Sequence, residues 1–238
     1  MNEQILNKRD RMPERHEKKY WLTRGDMDTL RKRLLPVLSR DPHADAHGNY
    51  LIRCLYFDDA YDTAYYDKMS GVPGRDKYRI RIYNLSDKTI FLERKRKIGD
   101  LIQKSSCRIS RALCEELMEG KADNLLKQND PLLNEMFLQM RTRLLRPKVL
   151  VQYTREAFIH PAEDVRITFD KKLLTCPGSL DLFGKDLLMV SPLDDKREIL
   201  EVKYNRCLPD FVSALLANTT PEYSAISKYI LCRRFDMV

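Results

Sequence analysis

At 238 residues and 43% hydrophobic content, undivided by any Gly-, Ser- or Pro-rich linker, the chain suits a single domain over 1–238 with one substantial core. Its 43 Lys and Arg against 35 Asp and Glu leave a net charge of +8 that points to an anionic partner, and their spread along the chain argues against a disordered nucleic-acid arm. No run reaches the roughly 20 apolar residues of a membrane span, the N-terminus lacks a signal peptide's apolar core, and the six cysteines show no C-x-x-C pair, so a cytoplasmic protein with reduced thiols and no zinc site is expected.

Residues 15–22 read as a strand. Thr23-Arg24-Gly25-Asp26 resembles a capping box and opens a helix whose apolar stripe is Met27, Leu30, Leu34, Val37 and Leu38, ending near Ser39. His43 and His47 fall in the loop after it and, with His16 and His160, are poorly placed for a metal cluster. A strand over 50–57 leads to an Asp- and Tyr-rich segment, 58–69, where Asp58 and Asp59 suit capping better than metal binding. After a turn at 71–74 come three alternating runs, 77–83, 89–97 and 101–109. Asn84-Leu85-Ser86-Asp87 and Gly99-Asp100 separate them, as in an antiparallel meander. Helices are expected over 111–119 behind Ser110, and behind Asp130-Pro131 with Leu132, Leu133, Met136, Phe137 and Met140 inward. Strands over 148–158, 165–172 and 197–204 follow, then helices over 209–217 and 224–233. Some eight strands with helices before, between and after them make an α+β fold on an antiparallel sheet.

Strand side chains alternate between faces, so residues two apart share one. Lys77, Arg79 and Arg81 therefore oppose Tyr78, Ile80 and Ile82; Arg166, Thr168 and Asp170 oppose Val165, Ile167 and Phe169; Glu201, Lys203 and Asn205 oppose Leu200, Val202 and Tyr204. A charged face usually meets water. Here, however, Arg79 with Arg81, Glu93 with Lys95, and Glu201 with Lys203 put charge at successive positions of one face. If the sheet closes into a barrel, those faces line a wet cationic tunnel and the helices cover the outside. The same-face cations are Lys19, Arg79, Arg81, Lys95, Lys104, Arg155, Arg166 and Lys203, with Glu17, Glu93 and Glu201 as anions. Such crowding depresses lysine pKa values unless carboxylates or a bound polyanion offset it. A phosphate chain fits: Arg forks pair with its oxygens and Lys adds point charges. A Glu beside phosphate oxygens is the expected ligand of a hydrated Mg²⁺ or Mn²⁺. Arg94, Arg96 and Lys97 of the same basic run read as a solvated edge, and Tyr20 and Trp21 as packing in the tunnel wall.

The strings RHEKKYWL, YRIRIY, FLERKRK, QYTREAF, VRITFD, ILEVKY and SAISKYI, in this order, resemble the polyphosphate-polymerase domain of the vacuolar transporter chaperone (VTC) family. That family is a branch of the triphosphate tunnel, CYTH-like superfamily, and the resemblance spans roughly residues 14–234. It implies transfer of the γ-phosphate of ATP to a growing inorganic polyphosphate chain with a divalent metal, Mn²⁺ or Mg²⁺. Carried over by position, Lys19 matches the first-strand lysine, Arg79 and Arg81 the paired phosphate-binding arginines, and Lys95 the lysine of the E-R-K string. Arg155 and Arg166 match later tunnel arginines, Glu201 the metal-associated glutamate, and Lys228 the lysine of the terminal helix; Lys104 falls in the string LIQKSSCRIS. The implied catalytic set is Lys19, Arg79, Arg81, Lys95, Arg155, Glu201 and Lys228, with Lys104, Arg166 and Lys203 also binding phosphate. Neither the phosphate-sensor domain nor the membrane segment of the eukaryotic arrangement is expected beside this domain, and a membrane-bound partner stays open.

The superfamily also holds triphosphatases and adenylyl cyclases, so fold does not fix the reaction. The first strand reads E-K-K at 17–19 rather than the E-x-E-x-K of many triphosphatases, which favours the polymerase branch. A tunnel triphosphatase and a non-catalytic binder of polyphosphate or inositol phosphates are the alternatives. Nucleic acid is not expected as a partner, because no aromatic stacking platform is evident.

Overall fold

Residues two apart on each alternating run take the same face of one antiparallel sheet in the computed structural model, which describes residues 15–99, 101–193, 197–217 and 222–236. In chain order the elements are β1 (His16–Leu22), α1 (Arg24–Leu34), β2 (Ser39–Arg40), β3 (Asn49–Asp58), α2 (Thr63–Met69), β4 (Arg75–Tyr83), β5 (Ser86–Ile98) and β6 (Leu101–Ile109). Then follow α3 (Arg111–Met118), α4 (Pro131–Thr142), β7 (Arg146–His160), β8 (Val165–Thr175), β9 (Glu198–Tyr204), α5 (Asp210–Leu216), β10 (Glu222–Tyr223) and α6 (Lys228–Asp236). The sheet runs β10-β1-β9-β8-β7-β3-β4-β5-β6, with β2 against β7. Its two flanks approach each other at an antiparallel bridge, Arg15 to Ile102. No helix among the described residues is long and apolar enough to cross a membrane.

Helices cover one face of the sheet. Ile80, Ile82 and Leu92 pack there with Leu113, Leu117, Leu133 and Met136 of α3 and α4. A second cluster sets Leu30 and Leu34 of α1 and Val212 of α5 against Ile167, Phe169, Leu200 and Val202. Each such fully buried aliphatic side chain contributes about 1.5–3 kcal/mol. On the opposite face, α6 lays Tyr229 and Cys232 against Cys54, Val151, Tyr153 and Ile199. The remainder of that opposite face is polar, and it carries the site.

Several boundaries differ from the sequence expectation. Helix α1 ends at Leu34 rather than near Ser39, because Pro36 has no N–H to continue the ladder; Leu38 still reaches the core but Val37 is 44% exposed. The turn after β4 needs only Asn84 and Leu85, both at positive φ, and Ser86 already pairs with Tyr83. This two-residue geometry matches the twist of the flanking strands. Strand β9 starts at Glu198, and α6 starts at Lys228 rather than 224. Residues 222–224 are instead extended along β1, where Tyr223 pairs with Tyr20 and the Ser224 N–H donates to the Lys19 carbonyl. Asp100 and residues 1–14, which bear on the expected second turn and on the signal-peptide reading, lie outside the described residues.

Candidate functional site

The register of β4 on β5 sets Arg79 directly across from Glu93 and Lys77 across from Lys95. Arg79 Nε donates to Glu93 Oε2 at 2.8 Å, and its Nη1 donates to the Tyr56 hydroxyl at 2.7 Å. Arg81 Nη2 lies 3.2 Å from the same Glu93 oxygen, and Lys104 reaches the other oxygen at 2.5 Å. Glu93 is only 2% exposed. Burial alone would raise its carboxyl pKa, but Arg79 and Lys104 bring it below the usual carboxylate range. Arg79 and Arg81, expected on the wall of a wet tunnel, line the cavity and also pack against the buried Glu93 carboxylate and the rings of Tyr56 and Tyr83. Arg81 Nε is buried and has no hydrogen-bond partner among the described residues.

Opposite these residues, β1 pairs Glu17 with Lys203 and Lys19 with Glu201 of β9. Glu17 accepts from Lys95 at 2.6 Å and lies 3.0 Å from Lys19. Burial and Glu201 push the Glu17 carboxyl up, yet Lys19, Lys95 and Lys203 together hold it down to about 2. Glu201 lies 2.5 Å from Lys203, 3.5 Å from Arg155 and 3.9 Å from Lys228. Against its burial these cations, with Lys19, keep it ionised well below the ordinary range. Asp170 completes the group: Arg155 grips it with two hydrogen bonds of 2.6 and 2.8 Å, and Lys228 stands 2.5 Å away. Its place on the Arg166 and Thr168 face was legible, but a lone Asp among cations carried no signal of its own.

One cavity of about 1140 Å³, counted with its open mouth, gathers most of these side chains. Eleven Lys and Arg line it against two Glu, Glu17 and Glu201. Of the predicted residues Lys19, Arg79, Arg81, Lys95, Arg155, Glu201, Lys203 and Lys228 are among its walls. Lys104 and Arg166 are not: Lys104 flanks Glu93 with its side chain 49% exposed, and Arg166 is held by Asp41 and the Tyr50 hydroxyl. The cavity adds Lys68 and Arg75; Lys77, which alternation set beside Arg79 without making it a site candidate; and Lys97, expected on a solvated edge. Lys97 shares the face of Glu93 and Lys95, so the alternation could have found it. Arg94 and Arg96 face away and bind Glu135 and Asp76. Asp58 and Asp59 cap, accepting from backbone N–H groups of residues 59–65.

Among the described residues no group of three His, Cys, Asp or Glu is arranged to hold a metal. A hydrated Mg²⁺ or Mn²⁺ needs less: one or two carboxylates, with phosphate oxygens and water completing the shell. Glu201, a buried ionised carboxylate facing the cavity, has the donor chemistry for that mode.

The sequence model of the VTC domain family matches residues 14–235. No curated protein matches the chain by sequence. Among solved structures, the PH1819 protein of Pyrococcus horikoshii OT3 is similar at 14% identity and a TM-score of 0.49, over 91% of this chain and 97% of that one. The PH1012 protein of the same organism is similar at 10% identity and a TM-score of 0.48, over 92% of this chain and 99% of that one. Both likenesses are too distant to bear on function.

Proposed function

From the premise that this chain belongs to the VTC domain family, we propose that it is an ATP–polyphosphate phosphotransferase, lengthening inorganic polyphosphate with the γ-phosphate of ATP. The observation that carries this reading is the cavity itself, whose eleven cations and two glutamates suit a polyanion and little else. On this reading the sheet works as a closed tunnel, which the approach of its two flanks at Arg15 and Ile102 supports. Arg79, Arg81 and Arg155 orient phosphate oxygens through their planar forks, and Lys19, Lys95, Lys203 and Lys228 neutralise charge along the chain. Positioning and charge neutralisation are most of what phosphoryl transfer requires of a protein. A divalent cation held by Glu201 would supply further neutralisation between the phosphates.

Incubating the protein with ATP and Mn²⁺ or Mg²⁺ tests this: long-chain polyphosphate is the expected product. Free phosphate without chain growth would make the protein a triphosphatase. A non-catalytic binder is favoured by one observation, the engagement of Glu201 with Lys203, Arg155 and Lys228 at once. Absence of any ATP turnover, with tight polyphosphate binding retained, would establish it.

A further inference from the structure

We propose that the end of the cavity formed by α2, the start of β4 and the end of β5 is a second anion subsite, holding the phosphates of a polyphosphate chain beyond those seated in the inner site. It rests on the reading of the cavity as a polyphosphate site. Lys68 of α2, Arg75 and Lys77 of β4, and Lys97 of β5 line this end. Register puts like against like, Arg75 across from Lys97 and Lys77 across from Lys95, an arrangement that weakens a strand pair.

The inner cations are each matched. Glu17 serves Lys19 and Lys95, Glu93 serves Arg79, Arg81 and Lys104, Glu201 serves Lys203, and Asp170 serves Arg155 and Lys228. The four at the mouth have no carboxylate within ion-pair distance among the described residues. Arg75 donates to the Val72 carbonyl at 2.7 Å; Lys77 donates to Ser227 Oγ at 2.8 Å and sits 5.3 Å from the centre of the Tyr229 ring. Burial first, then Lys19, Lys95, Lys68 and Arg75, press the Lys77 ammonium well below the ordinary lysine pKa. A partly buried, unmatched cluster of this kind opposes folding unless an anion offsets it. The neutral nucleoside end of a nucleotide would leave this cluster unmatched. A chain with negative charge on every unit, continuing outward from the inner site, neutralises them.

The test is the ratio of affinity for long-chain polyphosphate to affinity for tripolyphosphate, measured by competition in the wild-type protein, in Lys68→Ala/Lys97→Ala and in Lys68→Arg/Lys97→Arg. The ratio is expected to fall on the order of tenfold in the alanine protein and to persist in the arginine protein. Should the double alanine protein not fold, Lys97→Ala alone carries the same comparison. An unchanged ratio overturns the proposal. So does a single-stranded oligonucleotide that competes as well as polyphosphate, which would make the mouth a nucleic-acid surface. A wild-type protein that binds neither polyphosphate nor tripolyphosphate defeats the reading of the cavity itself, an outcome distinct from a lost or unchanged ratio.

Discussion

Glu201 has two roles available to it, and one substitution separates them. Its carboxylate sits among Lys203, Arg155 and Lys228, so electrostatically it opposes a polyanion while it neutralises the protein's own cations. Glu201→Gln should raise metal-free triphosphate affinity by about tenfold, lower stability by about 1–3 kcal/mol, and abolish turnover with Mn²⁺. Affinity measured with chelator present, beside a turnover assay, checks all three. Normal turnover would leave Glu201 as an ion-pair partner only. Lys95 offers a second reading at this scale. Burial lowers its pKa, Glu17 opposes and Lys19 adds, and the outcome is about 8 against an ordinary 10.5. The folded protein therefore binds fewer protons than the unfolded chain between these values, and this group makes stability rise with pH across that window. A bound polyanion favours the charged ammonium, so binding near pH 8 should take up about half a proton and affinity should fall as pH rises further. Calorimetry in buffers of different ionisation enthalpy reads the uptake, and Lys95→Met should remove it; an uptake that survives in Lys95→Met assigns the proton elsewhere.

At the scale of elements, the strands place the site and buried polar anchors hold the strands. Arg53 of β3 is only 2% exposed and has no site role. It donates to Gln152 of β7 at 2.8 Å and to the carbonyls of Leu182 and Gly184 at 3.2 and 2.5 Å, tying the segment between β8 and β9 onto the sheet. Arg53→Leu should cost about 2–4 kcal/mol, because buried carbonyls lose their donors. Denaturant unfolding with an unchanged slope would register it; a full-strength midpoint would mean that the apolar contacts of Leu182 and Phe183 suffice. Helix α6 acts differently. Its Lys228 enters the cavity while Tyr229 packs beneath, so one turn serves both the site and the core. Asn84 fixes the β4–β5 hairpin by accepting from the Leu51 N–H of β3 at 2.8 Å, which locks the register that brings Arg79 to Glu93.

For the whole molecule, a cavity with so large an excess of cations makes stability and ligand binding one problem. Polyphosphate at about 100 times its dissociation constant should add about 2.7 kcal/mol to unfolding, seen as a rise in melting temperature. Raising ionic strength from about 0.01 to about 0.15 M shortens the screening length from about 30 to about 8 Å. Ligand affinity should then drop by at least about tenfold. The ligand-free melting temperature should move little, because the pairs around Glu93, Glu201 and Asp170 are buried and poorly screened. Affinity insensitive to salt would mean that shape, rather than charge, governs the cavity.

Period-two alternation already set Arg79 with Arg81, Glu93 with Lys95 and Glu201 with Lys203 on the charged face of their own strands, since side-chain direction along a strand is a local property of the backbone. Composition and charge likewise called for an anionic partner without any structure. Pairing was a different matter. Glu93 precedes Lys95 by two residues yet serves Arg79, Arg81 and Lys104, while Lys95 takes its carboxylate from Glu17, 78 positions away. Asp170 became a site residue only when β7 and α6 brought Arg155 and Lys228 to it. Lys68 sits on a seven-residue helix with no buried residue, where periodicity says nothing about a distant cavity. Local pattern decides which way a side chain points; register and strand order, set by contacts far apart along the chain, decide what it meets.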